Sequence, residues 1–398
     1  MLRIVTRHHH RLYAVVPILS ATRRTVRVEQ LPDGYDVSDV VGTLRASPVE
    51  AIVPSQNYVS LRFFAKTLAK RYRLRNSDRL DVRIDEEVRT PPLSAFTVAA
   101  LGRYGLSLGF VVEGLPGGMM EEEMKEMLFS GRRVVSWRLE GTRADVRVFS
   151  LHHAMLVWLT LKENPQFKDC RMTFIDEGDY LYPEWYSPPK EGSKRSVIID
   201  NILTSQTSIA VRDWVSSFDK QVPGLGYGAL RPEQNMMRLR FVSPDVARQF
   251  IAKFEDRSDG LNVRVTLGDG SSVEDGMVAS PAERRSLVTA ISMGACRTLV
   301  VQFDKAHHVE KSEYRAFFGQ FGSIALISEQ KWHDELRLSV QYEDVHDAMQ
   351  AIVSLSIPGK GHMYEGARVN FLDANHLQPI FIVNSPSKSI LHLEESDM

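Results

Sequence analysis

The side chains most able to do chemistry in this chain are clustered glycines, histidines, cysteines, glutamates and aromatic rings, and their spacing limits each of them. Gly224, Gly226 and Gly228 lie in the segment PGLGYGALRP. A phosphate-cradling loop carries a lysine and opens a helix. This segment instead follows a predicted helix, lacks the lysine and runs into Pro232, so it reads as a hairpin or glycine-rich strand. His152–His153, His307–His308 and His8 to His10 are immediate neighbours, whereas two histidines on one helix face share a metal at i, i+4 spacing. Cys170 and Cys296 have neither metal-ligand spacing nor a local partner, the usage expected in a reducing compartment. Glu121 to Glu123 fall in the first turn of a predicted helix, where negative charge suits the helix dipole. The expectation is a protein with no catalytic residues, no cofactor and no metal. Tyr180, Tyr182, Trp185 and Tyr186 remain, in the segment EGDYLYPEWYSPPKEGSKR. Such rings either pack on a neighbouring domain or form a surface on which nucleic-acid bases stack.

The elements that would position these groups recur four times. Strand starts at Val26, Phe110, Val197 and Leu299 are each followed by a core position at Phe63, Val148, Phe241 or Tyr342. An alanine then follows at Ala69, Ala154, Ala247 or Ala348. Between strand and core position lies a helix with apolar residues at i, i+3, i+4 and i+7: Val37, Val40, Val41 and Leu44 in the first copy, Val211, Trp214, Val215 and Phe218 in the third, and Tyr314, Phe317, Phe318 and Phe321 in the fourth. The second copy has a shorter version in Met124, Met127 and Leu128. The segments NYVSLRF, ADVRV, MMRLRF and LRLSVQY alternate with the period of a sheet buried on one face. The copies close with LDVRID, CRMTFID, NVRVTLGD and ARVNFLD. The order is β-α-β-β-α-β, an α+β fold with two helices on one face of a four-stranded antiparallel sheet and the other face open.

The expected units are residues 25–86, 107–177, 196–269 and 296–374, after a basic extension at 1–24 and before a tail at 375–398. Residues 86–106, 178–195 and 270–295, rich in Pro, Gly or Ser, read as linkers. A length of 398 residues suits several small domains, and 43% hydrophobic with 25% charged residues is a globular composition. No apolar run approaches the ~18 residues of a membrane span. A net charge of −1 removes any bulk attraction for nucleic acid, so an electrostatic footprint has to be local. Residues 1–28 contain Arg3, Arg7, Arg11, Arg23, Arg24 and Arg27 and no acidic residue. That is the composition of a mitochondrial presequence, with Arg11-Leu12-Tyr13-Ala14 similar to a matrix-peptidase cleavage pattern, or else of a basic extension on a nuclear or cytoplasmic protein.

The repeats resemble the RNA recognition motif (RRM) family. The fourth is most similar, with LVVQF for the family's hexamer, YRAFFGQFGSI for the helix ending in Phe-Gly-x-Ile, and MYEGARVNF for the hairpin into the last strand; the third adds VIIDNI. The resemblance implies a ferredoxin-like fold whose open sheet stacks bases on rings at the hexamer's second position and the octamer's third and fifth. Here the hexamer positions are Arg27, Val111, Ile198 and Val300, and the octamer pairs are Tyr58 and Ser60, Arg143 and Asp145, Met236 and Arg238, Arg337 and Ser339. Only Tyr58 keeps a ring. Each lost ring removes about 1 to 3 kcal/mol per base, so no unit is expected to bind strongly alone. Arginines Arg27, Arg62, Arg238 and Arg337 offer a substitute, since a guanidinium stacks on a base or pairs with phosphate. The expected function is non-catalytic binding of single-stranded RNA by several degenerate modules acting together, in RNA processing or post-transcriptional regulation. The alternative is a protein-protein scaffold in a ribonucleoprotein assembly, docking through Val111, Ile198, Met236 and Val300.

Overall fold

The computed structural model describes residues 23–29, 31, 37–44, 49–64, 66–85, 93–175, 194–221, 224–255, 263–268, 281–303, 311–332, 335–357, 364–372, 377 and 379–382. The first unit runs β1 (Thr25–Glu29), α1 (Val37–Gly42), β2 (Val49–Pro54), β3 (Tyr58–Phe63), α2 (Lys66–Asn76) and β4 (Asp81–Asp85). Helix α3 (Ala95–Tyr104) precedes the second unit: β5 (Gly109–Glu113), α4 (Glu121–Phe129), β6 (Val134–Glu140), β7 (Arg143–Val148), α5 (Leu151–Glu163) and β8 (Arg171–Phe174). The third contains β9 (Ser196–Asp200), α6 (Ser205–Gln221), β10 (Leu225–Arg231), β11 (Met236–Phe241), α7 (Pro244–Glu255) and β12 (Arg264–Leu267). Helix α8 (Pro281–Ser292) precedes the fourth: β13 (Thr298–Phe303), α9 (Lys311–Gly319), β14 (Ile324–Trp332), β15 (Glu335–Tyr342), α10 (Val345–Leu355), β16 (Arg368–Phe371) and the short β17 (Ile380–Phe381).

The sheets are ordered β2-β3-β1-β4, β6-β7-β5-β8, β10-β11-β9-β12 and β14-β15-β13-β16-β17, antiparallel throughout. Alternation sets which residues turn inward: Val26 and Val28 in β1, Leu61 and Phe63 in β3 and Leu239 and Phe241 in β11 are buried, while the residues between them are not fully covered. Ala69, Ala154, Ala247 and Ala348 are all 0% exposed, so the small side chain lets each second helix lie close on its sheet. The glycine segment forms β10, as a strand.

Two of the expected linkers contain helices. In α3, Ser94 caps the start by accepting from the Thr97 amide (3.0 Å), and Gly105 ends it at φ 67° with its N–H on the Leu101 carbonyl. Pro281 opens α8 and Gly294, at φ 104°, follows it. The Pro, Ser and Gly that suggest loops are thus the start and stop signals of helices. The expected tail likewise holds β17, because Ile380 and Ile382 can bury their side chains beside β16.

The units dock in pairs, and both pairs use one geometry. Ile52 in β2 donates its amide to the Phe149 carbonyl (2.6 Å), and Gly228 in β10 donates to Glu343 (2.8 Å). Ile52 and Gly228 hold the same register place, opposite Leu61 and Leu239, and Phe149 and Glu343 each follow the core position that ends β7 or β15. Bridges Ala51–Ser150 and Tyr227–Asp344 complete the match. The chain is therefore a doubled module of two units joined by a helix. The two modules meet where α3 packs on α8 and α10: a Cβ on Gly102 would stand 2.7 Å from Ala290 Cβ and 2.6 Å from Met349 Sδ, so only glycine lets the helices come this close.

Candidate functional site

The open faces of the sheets gather the candidate residues into four separate surfaces. On the first, Arg27, Tyr58, Ser60 and Arg62 lie together as expected, but the arginines are engaged. Arg27 pairs with Asp85 (2.5 Å) and lies 4.9 Å from the centre of the Tyr58 ring, covering the one ring kept at an expected stacking position. Arg83 pairs with Glu29 (3.3 Å) and Asp81 (3.0 Å), and Arg62 with Glu50 (3.8 Å). Three arginines thus meet four carboxylates, and a phosphate approaching this face meets no net positive charge. Beneath it Arg24, 2% exposed, donates to Glu50 (2.6 Å) and to the Phe63 carbonyl (3.0 Å). Burial lowers its pKa, opposed by the Glu50 charge.

The second face follows this plan for two of its arginines. Arg143 pairs with Glu113 (3.6 Å) and Asp145 (3.3 Å), and Arg138 with Glu140 (2.7 Å). Arg147 shares the outward row of β7, and Arg171 starts β8 exposed.

The third face differs. Its outward positions are Ser196, Ile198 and Asp200 in β9, Met236, Arg238 and Arg240 in β11, Arg264 and Thr266 in β12, and Tyr227, Ala229 and Arg231 in β10. Four arginines face one carboxylate. Two of them tie this unit to the fourth: Arg231 reaches Glu343 (3.4 Å) and the Tyr227 hydroxyl (2.8 Å), and Arg240 reaches Asp344 (3.5 Å). Arg264 has no ion pair among the described residues. At the joint, Arg297, 1% exposed, donates to the carbonyls of Gly228 (3.2 Å) and Tyr342 (3.3 Å). A Cβ on Gly228 would stand 2.9 Å from its Nη1. The glycine run thus serves domain docking.

The fourth face presents Thr298, Val300, Gln302, Arg337, Ser339, Gln341, Arg368 and Asn370, and none of its described side chains is acidic. Arg337 has no ion pair among the described residues. Val300 is 6% exposed even on this side, and the Asn370 amide donates to the Leu377 carbonyl (3.2 Å), so the chain beyond β16 reaches this face.

One register runs through all four sheets: Arg27 lies opposite Ser60, Val111 opposite Asp145, Ile198 opposite Arg238 and Val300 opposite Ser339. The second residue expected of the hexamer therefore meets the fifth of the octamer every time, within the same strand order and with both helices behind. These are four tandem RRM-like domains. No protein-family model matches the chain, and no curated protein is similar to it in sequence. Among solved structures, the N-terminal three RNA binding domains of the yeast splicing factor Prp24 share 14% identity over 61% of this chain and 98% of theirs, with a TM-score of 0.19. The Drosophila melanogaster Sex-lethal RNA recognition domains 1 and 2 share 14% over 41% and 100%, at 0.21. The C. elegans NONO-1 homodimer shares 13% over 49% and 70%, at 0.15. At such scores the likeness of whole chains carries no argument, and the assignment rests on strand order and register.

Arg83, Arg231, Arg240, Arg264 and Arg368 belong to the RRM-like faces without being expected there; alternation two residues from Arg238, the pairing of β10 with β11, and the pairing of the closing strands with β1, β9 and β13 are the signals that locate them. Tyr180, Tyr182, Trp185 and Tyr186 lie outside the described residues, as do His307 and His308. The thiols are occupied: Cys170 donates to the Gly114 carbonyl (3.2 Å), with its pKa pushed up by burial and Asp169, and Cys296 donates to Thr298 (3.3 Å). Among the described residues no group of His, Cys, Asp and Glu could hold a metal ion, and no helix is long and apolar enough to cross a membrane.

Proposed function

We propose that this protein binds single-stranded RNA without catalysis, through several degenerate RRM-like domains acting together, in RNA processing or post-transcriptional regulation beside other ribonucleoprotein subunits. The observation that carries this reading is the uncompensated charge of the third and fourth open faces, where Arg264 and Arg337 have no ion pair among the described residues. Arg238 lies beside half-buried Ile198 and Met236, and Ser339 is two residues along the strand from Arg337. A guanidinium there can pair with a phosphate or lie flat on a base, and the neighbouring hydroxyls and amides can bond base edges. Each site is weak without rings, and covalent linkage of the sites raises the affinity of the whole. Crosslinking the full chain to single-stranded RNA tests this: crosslinked peptides containing Arg238, Arg264 or Arg337 support it, and no binding at low salt overturns it.

A scaffolding role is favoured by a different observation, the self-neutralised face of the first domain and the ion pairs of Arg143 and Arg138 on the second. On the second face Val111 stands half-buried beside those pairs. In this division of labour the first module supports assembly while the second holds RNA. Partners retained after nuclease treatment would bear on it directly. The basic residues 1–24 are proposed to direct the protein to mitochondria, and imaging a tagged chain with and without them is the test.

A further inference from the structure

Helix α2 carries the largest run of like charge among the described residues, and it lies behind the first sheet rather than on its open face. Lys66, Lys70, Arg71, Arg73 and Arg75 belong to the helix and Arg79 to the turn after it, with Asp78 the one acidic residue in that stretch. No described carboxylate pairs with any of the six cations. Leu68, Ala69 and Tyr72 form the buried side. At about 100° per residue, Lys66, Lys70 and Arg73 make one row along one flank and Arg71 and Arg75 a second along the other, with Thr67 and Leu74 on the outermost strip between. Each row is roughly 6 to 10 Å long.

This is not how the equivalent helices are built. In α7 Arg248 is paired with Asp245; α10 has no lysine or arginine and is covered by α3; α5 carries one lysine and one glutamate. In the free protein the rows of α2 repel themselves, since like charges at i, i+4 each cost about 0.2 to 0.5 kcal/mol. An anionic partner would recover that loss. The outer side has no aromatic residue: Tyr72 is buried, with its hydroxyl 2.7 Å from Thr43 Oγ1. Contact would therefore be with phosphates rather than with stacked bases, which needs no unstacked strand and favours the nucleic acid of highest phosphate density.

We infer that α2 is a second RNA site, distinct from the open sheets, that grips the phosphates of a double-stranded stem while the sheets of the second module hold single strand. The inference rests on the reading of this protein as RNA-binding, and the experiment separates the two. Fluorescence anisotropy is measured on the full chain with an RNA hairpin stem and with an unstructured single strand. The first variant combines Lys70→Gln, Arg71→Gln, Arg73→Gln and Arg75→Gln; the second combines Arg238→Ala, Arg264→Ala and Arg337→Ala. The first is expected to lose about tenfold or more for the stem near 0.1 M salt, with the slope of log affinity against log salt reduced by about 3, and to hold the single strand within about threefold. The second is expected to do the reverse. These positions are on the surface, and the half-variants Lys70→Gln with Arg73→Gln and Arg71→Gln with Arg75→Gln should each show part of the loss with an unchanged melting temperature. Unchanged stem affinity in the first variant overturns the inference and leaves the sheet reading intact, as does an equal loss for both RNAs. Binding of the parent chain to anionic vesicles but not to the stem also overturns it, and absence of binding to either RNA overturns both readings.

Discussion

The two modules share one docking geometry and separate in where they leave charge unanswered. In the first, every open-face arginine of the leading domain has a carboxylate beside it, and unpaired cations collect on α2. In the second, the cations stand on the open sheets, while α10 has no lysine or arginine and packs against α3. The same framework thus presents opposite sides to an anion. Backbone pairing fixes how domains dock, whereas side-chain charge is free to move between sheet and helix because neither location bears on the core.

The modules part most clearly at two ion-paired arginines that differ in burial, Arg24 and Arg240. Glu50→Ala removes the carboxylate that Arg24, 2% exposed, donates to, and should cost about 3 kcal/mol or more, read as a lower urea midpoint. Asp344→Asn in the other module loosens Arg240, a quarter exposed, and should cost less than about 1 kcal/mol. Equal costs would mean that burial does not set the cost of losing an arginine's carboxylate. Next comes the joint of the second module, where Gly228→Val drives a branched side chain toward Arg297. A loss of about 2 kcal/mol is expected, with the third and fourth domains melting separately in calorimetry.

On RNA, Arg264→Ala with Arg337→Ala should weaken single-strand binding about tenfold, roughly 1.4 kcal/mol, while Arg27→Ala with Arg83→Ala should change it less than about twofold in the same anisotropy titration. A larger effect from the first-domain pair would reverse the assignment of the faces. The smallest effect belongs to Asp347, whose pKa is raised by burial and by Asp344. The folded state holds that proton more tightly than the unfolded chain, so ionisation takes stability away as pH rises from the unfolded to the folded pKa, and the loss persists above it. Asp347→Asn keeps an acceptor for the Ser323 amide (3.2 Å) and should raise the melting temperature near neutral pH with little change in acid.

Most of the fold is legible because alternation and helical spacing are local: Leu61, Phe63 and the four alanines declare their burial within a few residues. The function of Asp85 is not local. As the last residue of LDVRID it looks like a mark of the repeat, yet it is the partner of Arg27, because antiparallel pairing of β1 and β4 brings distant segments side by side. Gly228 is harder still to read, since its reason is Arg297 in another domain. The cations of α2 are plain in KTLAKRYRLRN, but a helix whose inner side fits the core pattern draws no attention to its outer one. Helices α3 and α8 were hidden by their own caps.

The docking bridges also bear on solubility. A strand at the margin of a sheet offers unpaired amides and carbonyls to any other chain, and is a template for aggregation. In each module, β2 or β10 has part of that margin taken up by the backbone of the next domain, at Phe149–Ser150 or Glu343–Asp344. All four of the outermost strands, β2, β10, β6 and β14, carry an irregular register, and β6 adds the charges Arg138 and Glu140. On the far side of the fourth sheet, β17 pairs with β16. Four small sheets in one chain would otherwise bring eight such margins together at high local concentration, and the contacts that define each module also keep those sheets from joining with one another.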